Sequence, residues 1–169
     1  MAKSSDIPIC YLCGSNSCQK IHDAIRYGHS SRPFRCDDCG FTFIHPKMSR
    51  EEEKLFYDKI YRSQYVNESP EFSWMDGLTE ARKRVARFQN ILTKNANLLE
   101  IGCASGVFLS EVKPYVKTAT GIELTRDYID YAIGKGLDVR ESLDGITRDS
   151  LDLVFMFHVL EHIYDPVVF

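Results

Sequence analysis

An α/β fold, with an open parallel sheet behind a small metal-knuckle module, is predicted by two stretches of this sequence. The first is a doubled pattern, Cys10-Tyr-Leu-Cys13-Gly14 and Cys36-Asp-Asp-Cys39-Gly40. The second is Leu98-Leu99-Glu100-Ile101 running into Gly102-Cys-Ala-Ser-Gly106 and an apolar helical segment, which reads as strand, glycine turn and helix. Composition agrees. The 169 residues are 44% hydrophobic and 27% charged, with 21 Lys and Arg against 24 Asp and Glu. A disordered chain would carry fewer apolar residues and more net charge. No run approaches the roughly 18 apolar residues that cross a bilayer, which argues against membrane insertion. The first residues, Met1 to Asp6, lack the apolar core of an export signal, so a cytoplasmic location is expected. The net charge of −3 and the want of a long basic block argue against a general nucleic-acid binder.

Each Cys pair can reach one ion from a single tight turn, and the glycine after it permits the positive φ such a turn needs. Cys10, Cys13, Cys36 and Cys39 together would give four sulfur ligands, a closed tetrahedral set that suits zinc, with iron as the competing ion. The reducing compartment argues against disulfides. Cys18, His22, His29 and His45 could substitute as ligands, but a loop role is the simpler reading. Residues 1–48 are too few to fold on an apolar core alone, so a zinc-ribbon or knuckle module is expected there, with metal supplying much of the folding free energy.

Residues 49–96 read as a helical connector and the first helix of the larger domain. Ser49 and Glu52 make a capping box, predicting a helix from Arg50 to Arg62 on which Tyr57, Tyr61 and Tyr65 share a side. Asn67-Glu-Ser-Pro70 breaks that pattern. Leu78, Ala81, Val85, Phe88 and Leu92 then predict a helix from Leu78 to about Asn95, with Arg82, Lys83, Arg84 and Arg87 on its solvated faces.

From residue 97 the chain reads as half of a nucleotide-type sheet. After the glycine turn, a helix through Val107, Phe108 and Val112 stops at Pro114, and a second strand from Val116 to Ile122 ends at Glu123, about 20 positions past Gly102. An acidic side chain there is suited to the two hydroxyls of a ribose. Ala104 and Val107 stand where a dinucleotide fingerprint wants glycine. Glu100 would repel phosphates and favour a cationic ligand. A sulfonium cofactor with a free amino group fits better than a dinucleotide.

Leu99 to Leu109 resembles the first motif of class I S-adenosylmethionine-dependent methyltransferases, Gly121-Ile-Glu123 resembles their second, and Asp152 to Pro166 resembles their fourth strand and the loop after it. The Cys pairs followed by Phe41-Thr-Phe43 and His45-Pro46 are similar to the zinc-binding front end of a bacterial subgroup associated with sugar modification. The resemblance implies a Rossmann-like methyltransferase sheet. It implies S-adenosylmethionine as cofactor, with Glu100, Gly102, Ala104 and Gly106 around its methionine part and Glu123 on the ribose. A third strand, Leu137 to Arg140, would be followed by Ser142, Leu143 and Asp144 as adenine contacts.

His158, Glu161 and His162 cluster past the fourth strand, where open α/β sheets present their crevice. His158 is the candidate base and Glu161 its orienting partner, needed if the acceptor is a hydroxyl or carbon acid. The acceptor expected is a small molecule, a sugar or nucleotide-linked sugar. The resembled fold has seven strands and this sequence reaches the fourth, so a truncated sheet and a fragment of a longer protein are expected. The fourth strand would lie at an open edge, where a second copy could pair. Two rivals stand beside the methyltransferase reading: a non-catalytic zinc-binding interaction module on a degenerate Rossmann-like scaffold, and an NAD-dependent oxidoreductase.

Overall fold

The computed structural model describes residues 7–23, 31–47, 49, 51–52, 69–147, 149–163, 165 and 167–168. It divides into two compact units, 1–64 with 163–169, and 65–162. No helix among the described residues is long and apolar enough to cross a membrane.

In the first unit, β1 (Cys18–Lys20), β2 (Arg32–Cys36) and β3 (Thr42–His45) form an antiparallel sheet in that order. Cys10, Cys18, Phe34, Cys36 and Phe43 are its buried cluster, with Tyr11 and Phe41 packed against it. Cys18 and His45 therefore belong to strands rather than to the loops expected of them. Strands of three to five residues are too short to display a period of two. Tyr11 Oη and His45 Nδ1 are 2.5 Å apart, which ties the first knuckle to β3. The capping box closes as read: Ser49 N donates to Glu52 Oε2 at 2.8 Å and Glu52 N to Ser49 Oγ at 3.2 Å. The rest of the Arg50–Arg62 helix, with Tyr57, Tyr61 and Tyr65, lies outside the described residues, as does His29.

The second unit begins with α1 (Pro70–Phe88), earlier than the expected Leu78 and ending before Asn95. The break expected at Pro70 is instead the helix start. Ser69 Oγ accepts from Phe72 N at 3.3 Å, and Pro70 takes the first position, where a missing N–H costs nothing. The chain continues through β4 (Asn97–Ile101), α2 (Val107–Val112), a single turn Lys113–Tyr115, β5 (Thr118–Ile122), α3 (Arg126–Gly134), β6 (Asp138–Arg140) and β7 (Leu153–Met156). The strands are parallel in the order β6-β5-β4-β7. Since β5 and β7 flank β4, the strand order reverses at β4, and the crevice of such a sheet opens at that strand's C-terminal end. Ala81, Val85, Leu98, Phe108, Leu109, Val112, Ile129, Ala132 and Phe155 form the core under the helices. As expected, the fourth parallel strand, β7, is an edge among the described residues: Phe155 is buried and Val154 is 50% exposed.

Candidate functional site

Two sites emerge, one in each unit. In the first, the Sγ atoms of Cys10, Cys13, Cys36 and Cys39 all lie within 4.8 Å of one another. Cys10 and Cys39 sulfurs are 3.7 Å apart, and those of Cys13 and Cys36 are 3.6 Å apart. A tetrahedral ion with bonds of about 2.3 Å would hold its sulfurs about 3.8 Å apart, so the set fits a zinc-sized cage. Both knuckles are built alike. Gly14 and Gly40 each have φ +75°, and their N–H groups donate to Cys10 O and Cys36 O, each at 3.0 Å. The backbone N–H groups of Cys39 and Asp38 outweigh burial and hold the Cys36 thiol down to about 6. At Cys13 the Ser15 backbone is outweighed by the neighbouring thiols and burial, which push its thiol up to about 12, and Cys39 is raised as well, so of these three only Cys36 is favoured as the thiolate a metal requires.

The second site lies at the C-terminal end of β4. Gly102 N and Cys103 N both donate to Ile122 O (2.8 and 3.0 Å), Gly106 N donates to Cys103 O (2.8 Å), and Ala104 N donates to Glu123 Oε2 (3.0 Å). These four N–H groups have acceptors inside the protein, so the turn is no cradle for a diphosphate. Its left-handed positions are Gly102 (φ +73°), Ala104 (φ +46°) and Gly106 (φ +79°). A Cβ on Gly102 would come 2.4 Å from Val159 Cγ2, and one on Gly106 would come 2.6 Å from Leu137 Cδ1. The space a side chain would need at both glycines is thus filled by this chain itself rather than kept clear for a ligand.

Glu123 joins two loops. Its Oε2 takes Ala104 N, and its Oε1 takes Leu124 N and Thr125 N, both at 2.8 Å. A carboxylate has about four acceptor positions, so about one remains for a ligand hydroxyl rather than the two expected. Glu100 is 3% exposed, and its Oε2 has no hydrogen-bond partner among the described residues. Burial pushes its carboxyl well above the usual range, Arg84 opposes that shift, and Glu123 adds to it.

The remaining sequence-predicted residues are dispersed around the same end of the sheet. Ser142 Oγ donates to Asp144 Oδ2 at 2.8 Å on an exposed turn after β6, with Leu143 exposed between them. His158 follows β7 in the left-handed conformation (φ +57°) and is exposed, one residue before the Val159 that covers Gly102. Glu161 lies on the turn Leu160–His162, its side chain outside the described ones. Two residues escaped the sequence reading. Ser105 is buried with its Oγ 3.5 Å from that of Ser73 on α1, and Leu124 is 79% exposed directly after Glu123. Nothing in the sequence brings Ser73 to Ser105, since the two are 32 positions apart.

The sugar N-methyltransferase KedS8 from Streptoalloteichus sp ATCC 53650 is similar at 20% identity, over 60% of this chain and 39% of that one (TM-score 0.36). Phosphoethanolamine N-methyltransferase 1 of Haemonchus contortus, in complex with phosphoethanolamine and S-adenosylhomocysteine, is similar at 17% identity over 63% and 25% (TM-score 0.43). The N-methyltransferase NodS from Bradyrhizobium japonicum WM9, in complex with S-adenosylhomocysteine, is similar at 20% identity over 67% and 58% (TM-score 0.40). This chain thus spans less than two thirds of each. No curated protein matches it. The methyltransferase domain family matches residues 73–168, more than half of the chain and all of the parallel sheet. The chain therefore belongs to the methyltransferase domain family.

Proposed function

We propose that the second unit binds S-adenosylmethionine at the end of β4 and serves methyl transfer to a small-molecule acceptor, a sugar or nucleotide-linked sugar, while the four cysteines hold a structural zinc. The observation that carries the cofactor reading is the buried, unpartnered oxygen of Glu100. A carboxylate in that position is costly until a donor meets it, and a ligand ammonium is such a donor. When bound, the cofactor supplies a methyl group on a positively charged sulfur. Glu100 would take the amino group, and Gly102, Ala104 and Gly106 would shape the turn beside it. Glu123 would spend its remaining acceptor position on a ribose hydroxyl, and Ser142 and Leu143 would border the adenine. Because displacement at carbon depends on alignment, holding the turn fixed through Glu123 is itself a contribution to rate. His158, with Glu161 orienting it, would receive the acceptor's proton.

The zinc would close a four-sulfur cage, leaving no coordination position for chemistry. Thiolate ligands need a reducing location, so the cytoplasm belongs to the same reading. The functional division follows the chemistry: 1–48 for metal, 49–96 as connector and first helix, and 97–169 as the cofactor-binding half.

Calorimetry tests the proposal. Heat on adding S-adenosylmethionine or S-adenosylhomocysteine, strongly reduced in Glu123→Gln, is the expected result. No heat with either compound, or a preference for NAD, would overturn it. Metal analysis should find about one zinc per chain, and a folded, metal-free sample would overturn the zinc assignment.

A further inference from the structure

Glu100 points into an apolar layer. Its register partners are Gly121 on β5 and Phe155 on β7, and residues in register across a parallel sheet share a face. That face carries the core of Leu98, Phe108, Leu109 and Val112 under the helices. A carboxyl here is either neutral or paired, since an ionised one without a partner is the most costly state.

The charged and titratable groups around it are few. From α1 comes Arg84, whose guanidinium sits 4.1 Å over the Phe157 ring and whose Nε is 3.5 Å from Glu80 Oε1, so its charge is shared with other groups. From the end of β5 comes Glu123, already bound to three backbone N–H groups. The turn contributes Cys103, whose thiol burial drives upward. On α2 the one acidic residue, Glu111, pairs with Arg82 at 3.2 Å, and β7 contributes no titratable side chain. Among the described residues Arg84 is the one cation acting on Glu100, and burial with Glu123 outweighs it.

We infer that Glu100 links cofactor binding to proton release: its carboxyl is neutral in the ligand-free protein and ionises when a ligand ammonium arrives beside it. This rests on the cofactor reading above. The O–H bond of the Glu100 carboxyl breaks, the proton passes to the buffer, and the carboxylate keeps the electron pair and accepts an ammonium N–H. Binding then tightens as pH rises, up to tenfold per pH unit for as long as the free protein holds the proton, and becomes flat above that range. Arg84 acts as a positioning residue by setting where the range ends.

The experiment is calorimetry of the intact chain with S-adenosylhomocysteine at one neutral pH in phosphate and in Tris, which differ in ionisation enthalpy, followed by a pH series. The expected result is a difference in heat equal to about one proton released per ligand. In Glu100→Gln that difference should vanish and the pH profile should become flat. Arg84→Gln should shift the profile to higher pH without removing it, which a merely structural role would not do, and it keeps the test open should the glutamine variant fail to fold. Binding with the same heat in both buffers would overturn this inference alone. Failure of the wild type to bind at any pH would overturn the cofactor reading, and this inference with it.

Discussion

Gly106 and Gly134 stand in the same unit under opposite constraints. Gly106 has φ +79° and faces Leu137 Cδ1 and Ala132 Cβ, so Gly106→Ala meets both strain and collision, and a loss on the order of 1–3 kcal/mol in thermal or denaturant unfolding is expected. Gly134 ends α3 with open space where its Cβ would be, so Gly134→Ala should gain about 0.5–1 kcal/mol by the same measurement. The sequence shows Gly106 as part of the glycine turn, while the helix that Gly134 ends is not anticipated there. Glu100 gives a pH signature. Its carboxyl lies above the unfolded value of about 4.3, so the folded state binds more protons between that pH and its own raised value. Its contribution is fullest below the unfolded value and is lost as pH rises through the window, by up to about 1.4 kcal/mol per pH unit. Thermal melts of Glu100→Gln and wild type should therefore diverge as pH rises above the unfolded value, the wild type losing stability relative to the variant. A constant difference would contradict the burial argument.

The N-cap at Ser69 is the signal that places α1. Ser69→Ala should cost about 1 kcal/mol, read from denaturant midpoints, because Phe72 N loses its acceptor at the helix start. The knuckle module depends on a different term. Its buried cluster is five residues, two of them metal-ligand candidates, so Cys36→Ser or a strong chelator should abolish amide protection in β1–β3 while protection in β4–β7 persists. Hydrogen exchange checks this directly, and loss across both units at once would count against separate cores. These elements were unequally legible. The Cys pairs show by their spacing four sulfurs that could share an ion, and β4, α2 and β5 show as apolar runs joined by a glycine turn. The start of α1 was misread because proline breaks a helix interior yet suits its first position, and only the neighbouring serine tells the two apart. The tie that aligns the N-terminal ends of three strands could not be read at all. Asn97 N donates to Asp152 Oδ2 (2.8 Å), Asn97 Nδ2 to Ser150 O (3.0 Å) and Thr118 Oγ1 to Asn97 Oδ1 (3.0 Å). Those partners are far apart in the chain, so no local pattern pairs them.

The two outer strands of the parallel sheet are protected unequally, which decides where a second copy would add. β6 is Asp138-Val-Arg140, with Asp138 and Arg140 paired at 3.1 Å and Thr120 Oγ1 donating to Asp138 Oδ2 at 2.9 Å, so charge stands at both ends of that edge. Edge charges of this kind discourage strand pairing. β7 is Leu153-Val-Phe-Met156, apolar throughout, hydrogen-bonded to β4 on one side, with no strand on the other among the described residues. Its aromatic face is already spoken for by Phe88, Phe108 and Phe157, which pack on Phe155, while Val154 on the opposite face is half exposed. Self-association through β7 is accordingly the expected behaviour of this chain at high concentration. Sedimentation velocity over a hundredfold concentration range should show the coefficient rising for the wild type and staying constant for Val154→Lys, because a lysine there sets like charges against each other across the new pair of strands. The substitution touches neither the cysteine cage nor the turn at Gly102, so cofactor heats should be unchanged. A wild-type coefficient independent of concentration would show that the backbone edge of β7 is satisfied without a second copy.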